Sequence, residues 1–477
     1  MGQDIDTDPD LSAELTEWAL SQGATVDGIA AHAFPGKGLG IIVQRRLEAG
    51  DTILKIPTSL LRTESSLPDH LQSLAIANEC SINGLLALDV CLDTDDSSAS
   101  SLYSPWRSTL PSFLDVKSSM PLFWTPEAQH LLPPPGQALL RKQQSKLHRD
   151  WTAVSERGVA GSSLTLEQYT YRWLLVSTRT FYYTPAESSP SSKSRPRGKS
   201  KSKSKSKSHR RSKSNTATHP GQPRQADDCL AIVPFGDFFN HTASPPTVKA
   251  TYSASGYDFV VTSPHAGPVE KGTELFISYG SHSNDFLLVE YGFILPEGHN
   301  AHDALILDEV VLPLFDPEQT AVLEAAGYLG NYVLAAIPSG SSNGGGGDDD
   351  DDDDDDDNAD GLNPPNEDQN GNECVKDAEV EAEVVCYRTT TALRLLCMPF
   401  RWWKRGLECG FDEGDSFQGA VKELIGKLLR TYIDMAGQKI QQVAKLDDGA
   451  YADQKDVLTR RWAQILALLT AASKRVR

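Results

Sequence analysis

The sequence lacks the cysteine patterns of a zinc site or a disulfide framework. It has seven cysteines, an odd count, and no two of them form a C-x-x-C pair. We therefore expect no metal site and a reducing, intracellular compartment. The chain also lacks an apolar run of about 18 residues, the length that a membrane span requires. Its first residues, MGQDIDTDPD, are acidic and have no apolar signal region, so we expect no membrane partner.

The glycine-rich segment near the start lacks the features of a nucleotide-binding loop. Glycines at 36, 38 and 40 precede the apolar run Ile41-Ile42-Val43. No helix pattern follows, so the segment is not a dinucleotide fingerprint, and no Gly-Lys-Ser or Gly-Lys-Thr closes it as in a P-loop. A second apolar run, 52–57, follows a Gly-Asp turn. We interpret the segment as strand, turn and strand; such a turn lets backbone approach a ligand closely, and a plain turn is the alternative.

Two low-complexity tracts stand apart from an otherwise acidic chain. The tract 187–224 is rich in Ser, Lys, Arg and Pro, and the tract 339–372 is rich in Gly and Asp; we expect both to be disordered loops. The basic residues of 193–213 and the ten aspartates of 348–357 nearly cancel, so the formal net charge of −20 belongs mainly to the rest of the chain. An acidic folded part argues against binding of nucleic-acid backbones and suits a basic protein partner, although acidity also serves solubility.

The basic tract 193–213 leaves three interpretations open. It could contact RNA, act as a nuclear localisation signal, or be a solvated loop. We therefore expect a cytoplasmic or nuclear location, or both, and no nucleic-acid partner except through this tract.

Helical periodicity dominates two parts of the chain. It predicts helices in the first half over 11–22, 68–92, 127–132, 137–156 and 166–181, with Arg179 near the end of the last. In the final third it predicts helices over 384–400, 417–445 and 455–472. Without the two low-complexity tracts, the chain is long enough for two domains with good cores.

The stretch from Ala231 to Phe293 places polar residues at the ends of apolar runs. Asp237 and the pair Asn240-His241 follow one such run, and Ser278-Tyr279-Gly280 ends the next. Tyr291-Gly292-Phe293 closes the stretch. Polar groups at the ends of buried strands are well placed to face a cleft.

This order of motifs resembles the C-terminal half of a SET domain. The closest resemblance is to the class typified by the Rubisco large-subunit lysine methyltransferase and the actin-histidine methyltransferase. This chain also resembles the insert of that class at Trp106, at Leu110-Pro111 and at Pro121-Leu122-Phe123. The resemblance implies a mixed α+β protein: a β-rich SET fold with an inserted helical subdomain, followed by a mostly helical substrate-binding domain. The implied domains are 1–27 (N-terminal helix), 28–300 (SET domain, with its insert at about 68–180 and the basic loop) and 301–477 (substrate-binding domain with the acidic loop).

The same resemblance implies an S-adenosylmethionine site. Tyr291 matches the catalytic tyrosine of the family and Tyr279 matches the second tyrosine of its site. Arg179 matches an arginine that binds the cofactor, and Lys37 stands where the family has an acidic residue. The implied cofactor-binding residues are Lys37, Gly38, Leu39, Arg179, Asp237, Asn240, His241, Tyr291, Gly292 and Phe293.

The chemistry of methyl transfer explains why tyrosines suit such a site. A sulfonium is already electrophilic, so the protein must supply alignment and a neutral amine, although a free lysine has a pKa of about 10.4. An apolar, aromatic channel disfavours the ammonium form. Tyr252 and Tyr257 are candidates for its walls, with core or surface packing as the alternative.

Three functions remain open at this point. The first is a protein-lysine N-methyltransferase acting on a non-histone protein, because the chain lacks the cysteine arrays that flank the SET domain of many histone methyltransferases. The second is a protein-histidine N-methyltransferase; Tyr291 favours lysine, since the actin-histidine class lacks a tyrosine there. The third is a SET fold that has lost catalysis and only docks a partner.

Overall fold

The computed structural model describes residues 9–76, 79–93, 103–156, 164–183, 229–262, 267–334, 384–409, 414–449 and 451–476. The two low-complexity tracts predicted from the sequence, 187–224 and 339–372, lie outside the described residues. Within the described residues, no helix is both long enough and apolar enough to cross a membrane.

Short strands form the part of the molecule that carries the central stretch. The strands are β1 (Thr25–Val26), β2 (Ile29–Phe34), β3 (Gly38–Val43), β4 (Thr52–Pro57), β5 (Thr180–Tyr182), β6 (Leu230–Ile232), β7 (Asn240–His241), β8 (Val248–Ser253), β9 (Gly256–Val261), β10 (Glu274–Ile277), β11 (Leu305–Ile306) and β12 (Val333–Leu334). One sheet has the order β1-β4-β9-β8 and another the order β2-β3-β10-β7. Two-stranded sheets pair β5 with β6 and β11 with β12.

The second sheet places the central motifs side by side. Strands β2 and β3 form an antiparallel hairpin, and β3 pairs with β10. Strand β10 runs parallel to β7, with Phe276 opposite Asn240 and Ile277 opposite His241. Parallel neighbours end at the same edge of a sheet. The Asn-His pair therefore lies beside the point where β10 gives way to Ser278-Tyr279-Gly280.

Helices form the insert and the C-terminal part. They are α1 (Pro9–Ser21), α2 (Asp69–Ile76), α3 (Ile82–Leu92), α4 (Ser104–Arg107), α5 (Phe113–Ser119), α6 (Pro126–Gln129), α7 (Pro134–Glu156), α8 (Leu166–Ser177), α9 (Asn284–Phe286), α10 (Asp308–Val311), α11 (Pro317–Ala325), α12 (Tyr387–Cys397), α13 (Phe400–Cys409), α14 (Gln418–Ala444) and α15 (Ala452–Val476). The predicted α+β class, with a helical insert and a helical C-terminal part, is confirmed.

Two predicted helices differ from the observed ones in an instructive way. The helix predicted over 68–92 is two helices, and α3 has its own N-cap: the Ser81 hydroxyl accepts a hydrogen bond from the backbone N of Gly84. The helix predicted over 166–181 ends at Ser177, because residues 180–182 instead form β5 and pair with β6. Arg179 therefore lies between a helix and a strand, in a turn whose conformation both elements constrain.

Two apolar cores are present among the described residues. The first joins the two large sheets to α1, α3 and α8. The second is built mainly from α12, α14 and α15, and it also contains Trp124 and Leu132 from the insert and Leu288 and Val289 from the central stretch. The C-terminal helices thus share a core with the segment that leads to Tyr291.

Candidate active site

His241 and Tyr279 form the centre of the site. The backbone N of Tyr279 donates to His241 Nδ1 at 3.0 Å, and the two rings stack with their centroids 5.1 Å apart. The Tyr279 hydroxyl donates to the carbonyl oxygen of Phe239 at 2.8 Å. Burial raises the pKa of Tyr279 above its usual value. This hydroxyl is therefore a neutral group held in place by the backbone.

Tyr291 lies against Tyr279 because of an unusual helical turn. The two ring centroids are 4.9 Å apart. Residues Leu287–Tyr291 form a π-helical turn, a conformation found frequently at functional sites. Gly292 ends the turn at φ +80°, and a Cβ there would lie 2.8 Å from Met120 Sδ, so the position requires glycine. The ring centroid of Phe293 lies 6.3 Å from that of Tyr291 and 6.3 Å from that of His241.

Asp237 is a fully buried carboxylate on the protein-interior side of this site. Its side chain has no exposed area and accepts a hydrogen bond from Trp106 Nε1 at 3.0 Å, and Arg179 Nε lies 3.6 Å away. Burial raises its pKa to about 6, although Arg179 and Trp106 oppose the shift. Asp237 lies on a tight turn that begins at Phe235, a buried residue with φ +74°. Such strain is kept where a particular geometry is needed.

His241 is neutral at ordinary pH. Burial, together with the neighbouring His282 and His302, lowers its pKa to about 4. Since Nδ1 accepts from the Tyr279 backbone, the ring proton is on Nε2. His241 Nε2, Arg179 Nε and Asp237 Oδ1 are buried and have no hydrogen-bond partner among the described residues. The site thus combines buried donors with a buried acceptor.

Asn240 and Lys37 are linked by a third residue, Glu274. Asn240 Nδ2 donates to Glu274 Oε1 at 2.8 Å, and Lys37 Nζ donates to Glu274 Oε2, also at 2.8 Å. The Lys37 side chain is half exposed and its ammonium lies 5.1 Å from the Phe276 ring centroid. Glu274 was not among the sequence-predicted site residues. Glu274 lies in the segment KGTELFISYG, where the sequence shows only the alternation of a strand and does not indicate that Glu274 contacts Asn240 or Lys37.

Gly38 and Leu39 begin β3 of the same sheet, directly after the turn that joins β2 to β3. Gly38 has φ +75°, and apart from its chain neighbours no atom of the described residues lies within 4 Å of where its Cβ would be, so the backbone there is open to a ligand. Gly40 differs, since a Cβ there would lie 2.7 Å from Asn240 Nδ2. Gly40, inside β3, therefore makes room for the Asn240 side chain.

Tyr252 and Tyr257 belong to a neighbouring aromatic cluster. Tyr257 is buried and its hydroxyl donates to the carbonyl oxygen of Tyr182. Tyr252 packs 5.5 Å from Tyr183 and 5.2 Å from Tyr257, centroid to centroid. Among the described residues, neither ring contacts the ring of Tyr279 or Tyr291. For both tyrosines the sequence left core or surface packing as the alternative to a channel wall, and Tyr257 is packed in the core.

His282 is a further site residue that the sequence did not single out. Its ring stacks on Phe286 with centroids 4.0 Å apart, and Nε2 lies 2.9 Å from the Tyr279 carbonyl oxygen. Gly280 has φ +126°, and a Cβ there would collide with the His282 ring. The described residues include no group of three His, Cys, Asp or Glu side chains able to hold a metal ion.

A buried ionic network contacts the segment that leads into the π-helical turn Leu287–Tyr291. Arg461 of α15 donates from Nε and from one terminal nitrogen to the two oxygens of Asp285, both at 2.9 Å, and from the other terminal nitrogen to Asp303 at 2.7 Å. Asp303 also accepts the backbone N–H of Asn284, the first residue of α9. Arg461 has no exposed side-chain area. The C-terminal helix thus holds the segment that ends at Tyr291.

Comparisons with known proteins agree with this geometry. The chain is 22% identical to the human SET domain-containing protein 4 over 97% of this chain and 90% of that protein. It is 24% identical to the ribosomal lysine N-methyltransferase set11 of Schizosaccharomyces pombe over 66% of this chain and 68% of that one. It is also 24% identical to the actin-histidine N-methyltransferase of Drosophila melanogaster, over 59% of this chain and 48% of that protein. No family model matches the chain.

A solved structure gives the fold. Rubisco LSMT, in a structure with bound AdoMet, superposes with a TM-score of 0.56 over 98% of this chain and 91% of that chain, at 14% identity. The predicted resemblance to the SET class of the Rubisco large-subunit methyltransferase is confirmed, and so is the predicted fold.

Proposed function

We propose that this chain, which has the SET fold of the Rubisco large-subunit methyltransferase, is an S-adenosylmethionine-dependent protein N-methyltransferase whose acceptor is a lysine of a non-histone protein. The observation that carries the proposal is the meeting of three distant segments at one place: Asn240-His241, Tyr279 and Tyr291. A turn at the end of one strand, an open glycine backbone and two tyrosine rings in contact suit the alignment of two substrates rather than acid–base hydrolysis.

The polar atoms of the site fit the proposed cofactor. The amino-acid end of S-adenosylmethionine has a carboxylate and an ammonium group, so a site for it needs donors and acceptors together. Arg179 Nε and the Nε2–H of His241 are buried donors, and Asp237 Oδ1 is a buried acceptor, each without a hydrogen-bond partner among the described residues. Arg179, Asn240, His241 and the backbone at Gly38 would hold the cofactor. When bound, it supplies a methyl group on a positively charged sulfur.

The aromatic residues explain how the acceptor would be prepared. A lysine must lose its proton before it attacks a methyl group, and an apolar surround beside a positive charge favours the neutral amine. Tyr279 is held with its hydroxyl on a backbone carbonyl, so its ring forms a fixed wall. Tyr279 and Tyr291 are both partly exposed, but the Tyr279 hydroxyl is fixed on the backbone, so we assign to Tyr291 the role of meeting an incoming side chain. A tyrosine ring tolerates a cation on its face and its hydroxyl orients an amine.

A histidine acceptor is the second candidate function. It is supported by the similarity to the actin-histidine N-methyltransferase. Tyr291 favours lysine, and Rubisco LSMT has been solved bound to lysine and AdoHcy. The proposal therefore names lysine and treats histidine as an outcome of the test.

The first experiment measures binding of S-adenosylhomocysteine by calorimetry. We expect micromolar binding by the wild type and loss of at least tenfold in affinity in Asn240→Ala. Gln44→Ala is the matched control, since it removes a carboxamide from an exposed position just after β3. A folded wild type that does not bind would overturn the enzyme proposal and favour a docking module.

The second experiment identifies the acceptor. Protein extract is incubated with labelled S-adenosylmethionine and either wild type or Tyr291→Phe, and the labelled residues are identified by mass spectrometry. We expect label on lysine with the wild type and a loss of transfer of at least tenfold with the variant, while both bind S-adenosylhomocysteine within a few-fold. Label on histidine would overturn the lysine assignment and keep the methyltransferase assignment.

A further inference from the structure

The Asn240 carboxamide has only one orientation that its neighbour allows. Glu274 Oε1 lies 2.8 Å from Asn240 Nδ2. A carboxylate accepts hydrogen bonds and does not donate them, so the NH2 end of the carboxamide must face Glu274. The opposite end, Oδ1, takes part in no hydrogen bond among the described residues. The site therefore offers an acceptor at Asn240, and it does so because of Glu274.

Lys37 holds the other oxygen of the same carboxylate. Its ammonium donates to Glu274 Oε2 at 2.8 Å and lies 5.1 Å from the Phe276 ring centroid and 5.7 Å from that of Phe34. The Glu274 side chain is 11% exposed and that of Lys37 is 50% exposed. A carboxylate that accepts one hydrogen bond on each oxygen cannot rotate without breaking both. Lys37 thus limits the movement of Glu274 from the solvent side.

The sheet brings these three residues together from three separate strands or turns. Lys37 ends the turn before β3, Glu274 begins β10 and pairs with Ile42 of β3, and Asn240 begins β7. Gly40 of β3 leaves the space that the Asn240 carboxamide occupies, since a Cβ there would lie 2.7 Å from Nδ2. The arrangement is therefore a product of the sheet and not of a mobile side chain.

We propose that Glu274 is a positioning residue which, together with Lys37, orients the Asn240 carboxamide so that Oδ1 faces an N–H donor of the bound ligand. This inference rests on the proposed function, in which that donor is the ammonium group of the cofactor's amino-acid end. Lys37 does not itself contact the ligand through its side chain. It acts on the cofactor only through Glu274.

A set of exchanged groups tests the orientation directly. Asn240→Asp places a second carboxylate against Glu274, which repels it and removes the donor that Glu274 uses. Adding Glu274→Gln supplies a carboxamide whose NH2 end can donate to the introduced carboxylate, and the other oxygen of that carboxylate again serves as the acceptor for the ligand. We expect Asn240→Asp to weaken S-adenosylhomocysteine binding by at least about a hundredfold, and the double variant to recover at least tenfold of that loss.

Two further variants complete the set. Glu270→Gln makes the same chemical change at an exposed position before β10 and should bind as the wild type does. Lys37→Met should weaken binding by a few-fold only, because an exposed ion pair contributes little. A double variant that binds no better than Asn240→Asp would overturn the inference. If Glu274 and Asn240 did not interact, the effects of the two changes would add, and the double variant would bind less tightly than either single variant.

The ligand-free protein supplies a second readout that separates this inference from the proposed function. Thermal melting of the same four-member cycle (wild type, Asn240→Asp, Glu274→Gln and the double variant) measures the contact without any ligand. Recovery of melting temperature in the double variant, with tight binding in the wild type, supports both proposals. Recovery with no binding by the wild type overturns the proposed function and leaves Glu274 as a structural partner of Asn240. No recovery in either measurement overturns the orientation itself.

Discussion

The buried Arg461 network makes a prediction about how the C-terminal helix supports the site. Arg461 uses Nε and both terminal nitrogens on Asp285 and Asp303, and the exposed fractions of the three side chains are 0%, 1% and 10%. Burial alone would lower the pKa of Arg461, but the two carboxylates outweigh it and the net shift is upward. Replacing Arg461 by Met removes the cation and leaves two buried carboxylates without their partner.

The magnitude follows from the geometry. Breaking a buried pair by removing one partner costs about 3–5 kcal/mol, and removal of Arg461 breaks two pairs that share it. At about 2–4 °C per kcal/mol for a domain of 150–250 residues, we expect the melting temperature of Arg461→Met to fall by at least about 6 °C. Because Asp285 precedes the turn that ends at Tyr291, we also expect methyl transfer to fall more steeply than the folded fraction does.

The neighbouring residue of the same helix is the control. Arg460 pairs with Asp456 one turn earlier, and both side chains are more than half exposed. Such a pair contributes about 0.3–0.5 kcal/mol, so Arg460→Met should melt within about 2 °C of the wild type. Differential scanning calorimetry on both variants decides the matter. If Arg461→Met melts no lower than Arg460→Met, the reasoning about the buried network is refuted.

Three shorter predictions concern the rest of the site. Burial raises the folded-state pKa of Asp237 from 3.8 to about 6, so the stability that its neutral form contributes is full below pH 3.8 and is lost as pH rises through 6. Chemical denaturation should show that, between pH 4 and pH 7, the free energy of unfolding of Asp237→Asn rises relative to that of the wild type by up to about 3 kcal/mol. Gly40→Ala must displace the Asn240 carboxamide, and calorimetry should show S-adenosylhomocysteine binding weakened at least tenfold, whereas Gly437→Ala, with open space around it, should bind normally. Deletion of 187–224 should leave methyl transfer intact and remove any RNA binding measured by filter retention.

The positions of the central motifs could be predicted from the sequence because each motif is local, whereas the roles of their residues were implied only by the resemblance to the SET class. Asn240-His241, Tyr279 and Tyr291 stand at the ends of apolar runs, and the alternation of those runs is visible without any knowledge of distant contacts. The helices of the C-terminal part were visible for the same reason: Leu429, Tyr432 and Ala436 recur at helical spacing and are all buried.

The residues that the sequence did not reveal act through distant partners. Glu274 and Lys37 are 237 positions apart, and Arg461 and Asp285 are 176 positions apart. In the sequence, Arg461 follows another arginine, a pattern typical of a solvent-exposed helix face. Only the packing of α15 decides that one arginine is buried and the other exposed. Phe181 shows the same limit, since it fits a helical pattern but belongs to β5, whose partner strand lies some 50 residues further on.

The protonation states of the site are coupled to its geometry. Burial disfavours the charged form of every group, so it moves an acid and a base in opposite directions: the pKa of Asp237 rises to about 6 and that of His241 falls to about 4. Near pH 5, therefore, both side chains are neutral and Arg179 loses its charged partner. Above pH 6, Asp237 is ionised beside Arg179 while His241 stays neutral and still accepts from the Tyr279 backbone. The ionised Asp237 that pairs with Arg179 and the neutral His241 that accepts from Tyr279 thus occur together above about pH 6.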